Sequence, residues 1–190
     1  NLTLNDVTVN EGDGTATISA TLDNAPTDAP LVLALSNGAT LTFAIGATTA
    51  TSSAFAVQPD DAYVNGGTTT VSASITSGGT EFESLVVSDT ADVIVTETPA
   101  TVTNLTLNDV TVNEGAGTAT ISATIDNAPT TEPLVLALDN GATLTFAVGA
   151  TTATSSAFAV QADDAYVNGG TTTVSASITS GGAEFESLKV

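Results

Sequence analysis

Through most of this chain, apolar side chains recur at every second position. In the stretch 15–22, Ala16, Ile18, Ala20 and Leu22 share one face, and Thr15, Thr17, Ser19 and Thr21 share the other. The same alternation runs through Leu41, Phe43 and Ile45, through Phe55 and Val57, and through Val71, Ala73 and Ile75. A period of two marks strands buried on one side, and Thr, Val and Ile suit their pleated surface. Turn residues interrupt the alternation at Asp23-Asn24-Ala25-Pro26, Asn37-Gly38, Asn65-Gly66-Gly67 and Ser77-Gly78-Gly79. Asn37-Gly38, between Leu35 and Leu41, predicts a tight hairpin with φ > 0 at both residues. No segment carries the helical period of about 3.6 residues, so no helix of consequence is expected.

An internal repeat organises these strands. Residues 1–87 realign with 104–190 at an offset of 103, and 78 of the 87 positions are identical. Seven strands are expected per repeat, at 2–10, 14–22, 30–36, 39–46, 51–58, 68–76 and 91–97. Seven short antiparallel strands in about 100 residues predict an all-β fold, tandem immunoglobulin-like antiparallel β-sandwiches. The expected domains are 1–97, a linker at 98–103, and 104–190. The second repeat reaches Val190 before its seventh strand, which is either cut away or supplied by another chain.

Composition then narrows the function. The chain carries 21 Asp and Glu against one Lys, no Arg and no His, a formal net charge of −20. Phosphate recognition needs Lys and Arg, so no nucleic acid is expected as a partner, and anionic membranes are disfavoured on the same grounds. The longest apolar run, 30–35, is far below the ~20 residues that span a bilayer, and no membrane insertion is expected. There is no Cys, which removes disulfides and thiolate metal sites. Only eight residues are aromatic and many apolar ones are Ala, so slim cores are expected. The chain opens directly in alternating sequence without a signal peptide, as an internal piece of a longer protein would.

Alternate loops of a sandwich fall at opposite poles. The turns at 10–14, 37–38 and 58–67 and the end of strand seven at 96–98 therefore share one pole. That gathers Glu11, Asp13, Asp60, Asp61 and Glu97 beside the linker. The facing pole of the second repeat would offer Asp126, Glu132, Glu184 and Glu186. Ionised carboxylates about 4 Å apart repel by about 1 kcal/mol even in water, and only Lys189 offers a counter-charge. A hard dication with oxygen ligands resolves the repulsion, which points to Ca²⁺; zinc and copper lack His and Cys here. Asp89 and Asp92 are further candidates. Asp6, Asp23 and Asp139 read as solvated surface, and Glu81 and Glu83 as exposed positions along an extended segment.

Four motifs in order carry a resemblance: Val9-Asn10-Glu11-Gly12, then Leu35-Ser36-Asn37-Gly38-Ala39-Thr40-Leu41, Asp60-Asp61-Ala62-Tyr63, and Gly78-Gly79-Thr80-Glu81-Phe82-Glu83-Ser84-Leu85. The chain resembles the immunoglobulin-like extender repeats of giant RTX adhesins, similar to the repeat tracts of the Marinomonas ice-binding adhesin and Pseudomonas biofilm adhesins. The resemblance covers essentially the whole chain. It implies export by type I secretion to the bacterial surface, and Ca²⁺ at domain junctions stiffening an array that projects a distal binding domain. By position, the family's ligands carry onto Glu11, Asp60 or Asp61, and Glu97, and equally onto Glu114, Asp163 and Asp164. Where many relatives have an Asp-containing tail, this chain has Glu97-Thr98-Pro99.

Two other function classes fit the sequence less well. The 37 Thr residues could order ice-like water, yet Thr15/Thr17/Thr21 and Thr68/Thr70 form no long ladder, and β-branched Thr simply suits strands. Carbohydrate binding would want exposed aromatic platforms, and only Tyr63 and Tyr166 offer themselves; both read as packing beneath the Asp-Asp loop. Enzymatic activity would fall to carboxylates alone, with no aromatic cleft implied, and no small-molecule substrate is expected. The expected partners are neighbouring repeats of the same chain.

Overall fold

The computed structural model describes residues 1–98 and 100–190, which divide into two compact units. Unit 1 comprises residues 1–61 and 65–98, and unit 2 comprises 62–64 and 100–190. Of the expected linker 98–103, Val102 and Thr103 open a strand and Pro99 lies outside the described residues.

Unit 1 contains ten strands: β1 (Leu2–Leu4), β2 (Val7–Asn10), β3 (Thr15–Ala16), β4 (Ser19–Leu22), β5 (Leu31–Leu35), β6 (Thr40–Phe43), β7 (Thr49–Thr51), β8 (Phe55–Ala56), β9 (Gly67–Ser77) and β10 (Thr90–Thr96). One sheet runs β1-β4-β7 and the other β2-β10-β9-β5-β6, with β3-β8 as a small ribbon. Three of the seven expected strands are each split in two. The first breaks at Asn5-Asp6: the Asn5 N–H still bonds Ser19, while Asp6 Oδ1 accepts the Asp92 N–H of the other sheet. The second breaks at Thr17-Ile18, where buried Ser52 takes over. Its hydroxyl accepts the Ile18 N–H at 3.0 Å, and its own N–H bonds the Ile18 carbonyl. Alternation cannot reveal such breaks, because the side chains on both sides of each keep pointing inward. The core joins Leu2, Leu4, Ile18, Leu22, Leu31, Leu33, Leu41, Phe43, Val71, Ala91 and Val93 in one cluster.

The hairpin at Asn37-Gly38 differs from expectation. Only Gly38 has positive φ, and Leu35 and Ala39 close a three-residue loop. Asn37 stays at negative φ and uses its Oδ1 to accept the Ala39 N–H at 3.1 Å, a side-chain bond that favours the longer loop.

Unit 2 contains β11 (Val102–Leu107), β12 (Thr118–Ala119), β13 (Ser122–Ile125), β14 (Leu134–Leu138), β15 (Thr143–Phe146), β16 (Thr152–Thr154), β17 (Phe158–Ala159), β18 (Ala176–Ser180) and β19 (Ser187–Lys189). Its sheets run β16-β13-β11-β19 and β15-β14-β18, with β12-β17 as the ribbon. Tyr63 belongs to this unit. Its ring lies 5.7 Å from that of buried Phe185 and its hydroxyl donates to the Ala128 carbonyl at 2.7 Å. Tyr166 is 74% exposed, so neither tyrosine packs as the sequence suggested.

Glu81 is also not the exposed strand position expected. It ends a 3-10 turn, Gly79–Glu81, and its Oε2 accepts the Thr27 and Asp28 N–H groups at 2.9 Å. Glu184 repeats this with Thr130 and Thr131 at 3.0 Å. The N–H groups of Asp28 and Thr27 hold the Glu81 carboxyl below its ordinary value. At Glu184 burial pushes upward, but the bonds from Thr130 and Thr131 outweigh it and the carboxyl is again lowered. A folded pKa below the unfolded one stabilises above the ordinary Glu value of 4.5, and that contribution fades as pH falls through it to the depressed folded value. Replacing both by Gln is therefore expected to flatten the acid limb of a plot of urea midpoint against pH. An unchanged slope would remove these two carboxylates from the acid response.

Candidate metal centre

In unit 1 the pole expected to be acidic is assembled by backbone pairing. β2 and β10 run parallel, with Thr96 opposite Asn10, and the Glu11 N–H extends the ladder by bonding the Thr96 carbonyl at 2.9 Å. The Gly12 N–H then bonds the Gln58 carbonyl at 2.8 Å, which draws the 58–61 segment alongside. Gly12 is required here, because a Cβ would stand 3.0 Å from Asp60 Cβ. Three segments distant in sequence thus meet: 10–12, 58–61 and 96–98.

Glu11 is fully buried, at 0% exposure. Its carboxylate receives Gln58 Nε2, the Thr98 N–H and the Thr98 hydroxyl, all at 3.4 Å. The Thr98 hydroxyl lies closer to Asp60 Oδ1, at 2.5 Å. Glu11 and Asp60 place carboxylate oxygens within 4.8 Å of one another. Beside them, Asp61 Oδ2 accepts Asn65 Nδ2 at 2.9 Å, and Glu97 Oε1 accepts the N–H groups of Asn65 and Gly66. Glu11, Asp60, Asp61 and Glu97 therefore lie in one hydrogen-bonded region whose neutral members are Gln58, Asn65 and Thr98. Charge counting passes over these three residues, and Asn65 read only as part of a turn.

The arrangement fits a hard cation. Oxygens bound to one Ca²⁺ at about 2.3–2.6 Å stand no more than about 5 Å apart, which the Glu11–Asp60 spacing satisfies. Unit 1 has no Lys, Arg or His, and a hard dication is a counter-charge suited to carboxylate oxygens.

The other candidates are placed elsewhere. Asp13 Oδ2 accepts the Asn10 N–H at 2.9 Å and Asp89 Oδ2 the Leu4 N–H at 2.8 Å. Asp92 Oδ1 accepts the Thr70 hydroxyl at 2.8 Å. Asp126 binds the side-chain amide and then the N–H of Asn104, which lower its carboxyl pKa. Asp23 and Asp139, read as plain surface, likewise hold hydrogen bonds, from Asn1 and Ser175. In the second repeat, Glu114, Asp163 and Asp164 are all exposed. Asp164 accepts the Tyr166 N–H and the Asn168 amide, in that order the causes of its lowered pKa.

No curated protein matches the chain. Two solved structures are similar to the chain at a TM-score of 0.39: the calcium-binding domain CBD12 of CALX1.1, at 14% identity over 80% of this chain and 72% of that one, and CBD12 from CALX1.2, at 12% over 83% and 76%. The LapA domain model matches residues 1–98 and again 101–190, nearly the full length in two copies. The chain belongs to the LapA domain family, named for a large biofilm adhesin.

Proposed function

We propose that the chain is a structural extender module of a cell-surface RTX adhesin, secreted by the type I route, in which Ca²⁺ at the domain junctions stiffens a repeat array. The observation that carries the metal reading is buried Glu11 beside Asp60 in a unit without a basic side chain. Ca²⁺ bound there would be held by Glu11 and Asp60, with Asp61 and Glu97 adjoining. The ion supplies only charge and coordination; the protein supplies an oxygen-rich pole, with Glu11 buried and Asp60 exposed, adjoining the expected linker 98–103. Near-identical repeats suit a module whose contribution is length, and the net charge of −20 disfavours association between neighbours. The expected partners are neighbouring repeats of the same chain, without nucleic acid, membrane insertion or catalysis.

Thermal unfolding in CaCl₂, MgCl₂ and EDTA tests the reading. A ligand bound only to the folded state adds about 1.4 kcal/mol for each tenfold excess over its Kd, so the midpoint should climb with Ca²⁺ and not with equal Mg²⁺. Asp60→Asn should abolish most of that rise while leaving the EDTA midpoint little changed. Identical midpoints in Ca²⁺ and EDTA would sink the metal reading. A second reading rests on the outer face of β1-β4-β7, where exposed Thr3, Thr21 and Thr49 stand in register. An ordered-water or sugar ligand would bind there, and Thr21→Lys would then reduce ice-growth inhibition or glycan-array signal without changing the Ca²⁺ response.

A further inference from the structure

Two neutral residues of the acidic pole in unit 1 form a chain of amides between its carboxylates. Gln58 Nε2 donates to Asn65 Oδ1, and Asn65 Nδ2 donates to Asp61 Oδ2 at 2.9 Å. Gln58 Nε2 also donates to Glu11 Oε2 at 3.4 Å. A carboxamide nitrogen carries two N–H donors, so these two bonds occupy both of those on Gln58. Each amide thus turns its donor end toward a carboxylate, Gln58 toward Glu11 and Asn65 toward Asp61. The second repeat builds the same chain: Gln161 Nε2 donates to Asn168 Oδ1, and Asn168 Nδ2 to Asp164 Oδ2 at 3.0 Å.

This orientation has an electrostatic reason. Buried Glu11 and Asp60 bring carboxylate oxygens within 4.8 Å of one another, in a unit without Lys, Arg or His. Amide N–H groups carry partial positive charge, and aimed at carboxylates they supply part of what a cation would. The Gln58 contact is nonetheless a weak one. Charge-assisted N–H···O bonds ordinarily fall at about 2.7–2.9 Å, and this one measures 3.4 Å. A Lys at this position would place a full, fixed charge against Glu11. A half-buried neutral amide holds the carboxylate and still gives way to a stronger partner.

Building on the calcium reading above, we propose that Gln58, oriented by Asn65, is the internal stand-in for a divalent cation at Glu11, and sets calcium affinity by competition rather than by coordination. A cation against Glu11 Oε2 repels the partial positive charge of the Gln58 N–H, so the two contacts exclude one another. Asn65 fixes the cation-free arrangement: its Oδ1 draws the second Gln58 N–H, and its Nδ2 anchors on Asp61. An interaction made only in the cation-free state stabilises that state and weakens binding of the ion by the same factor. Gln58 therefore keeps the unloaded pole assembled and lowers its affinity for calcium. The Thr98 N–H and hydroxyl, which reach the other oxygen of Glu11, stay outside this exchange.

Gln58→Met in the full chain tests this, because Met keeps the length of the side chain and loses its donors. Hydrogen exchange at the amides of β2 and β10 reads the stability of unit 1, and a CaCl₂ titration followed by NMR reads the Kd. In EDTA the variant should lose about tenfold in protection, the scale of one hydrogen bond to a charged group. In saturating CaCl₂ its protection should match that of the parent chain, and its Kd should be about tenfold tighter. Asn65→Ala, which leaves Gln58 in place, should move both quantities in the same directions by less. Equal losses of protection in EDTA and in CaCl₂ would make Gln58 a structural residue only. A weaker Kd in Gln58→Met would make it a ligand. Either result overturns the proposal while leaving the calcium reading intact. A parent chain that shows no response to CaCl₂ overturns both.

Discussion

Replacing Gly78 by Ala is expected to destabilise unit 1 by about 4 kcal/mol, and Gly181→Ala to do the same in unit 2. Gly78 has φ +78°, and a Cβ there would stand 2.2 Å from the Pro30 carbonyl oxygen and 2.9 Å from Leu31 Cα. At Gly181 the corresponding distances are 2.4 Å to Pro133 O and 2.8 Å to Leu134 Cα. The obstructing atoms are backbone at the start of β5 or β14, both flanked by strands on either side, so no rotamer change relieves the overlap. Left-handed φ alone costs an Ala about 1 kcal/mol or somewhat more. Gly38→Ala isolates that term, because Gly38 has φ +87° and nothing within 4 Å of its would-be Cβ. Urea unfolding of the three variants checks the ranking. Equal losses at Gly38 and Gly78 would show that the backbone collision is relieved at little cost.

The second large effect is expected from Tyr63→Ala, a substitution in the first repeat that should weaken unit 2. Tyr63 packs its ring against Phe185 at a tilt of 38°, bridges to it in a short β-pair, and hydrogen-bonds Ala128. Flanking backbone bonds from Val64 N–H to Glu184 and from Glu186 N–H to Ala62 hold the segment in place. Large-to-small replacement of a packed aromatic costs about 3 kcal/mol, and Tyr63→Phe should cost about 1 kcal/mol, for the hydroxyl alone. Hydrogen exchange should speed up in β11 and β19, with β5 and β9 little affected. Faster exchange confined to β5 and β9 would contradict the placement. Tyr166→Ala is the control, and its exposure predicts little change.

What the sequence made legible was whatever depends on period and punctuation. Strict alternation located both sheets' core faces, and Leu33, Leu41 and Phe43 are fully buried as their pattern requires. Loops that alternate between the poles of a sandwich place the segments of Glu11, Asp60 and Glu97 at the same end, where backbone pairing also holds them. The splits at Asn5-Asp6 and Thr17-Ile18 escaped because a strand that changes sheets keeps its alternation. Glu81 escaped for a different reason: Gly78-Gly79 reads as a turn, but nothing local says that its carboxylate will hold the loop at Thr27 and Asp28, more than 50 residues away. Glu114 shows the limit most clearly, since it repeats Glu11 within an identical Asn-Glu-Gly motif and is exposed.

The parallel pairing of β2 with β10 has a mechanical side. β2 lies near the start of unit 1 and β10 near its end, so tension on the two ends pulls these neighbours in opposite directions along their common axis. The load then falls in shear on the whole ladder from Val7–Val93 to Asn10–Thr96, and its hydrogen bonds must fail together rather than unzip one at a time. In the tether proposed above, this arrangement would resist extension along the line on which drag acts.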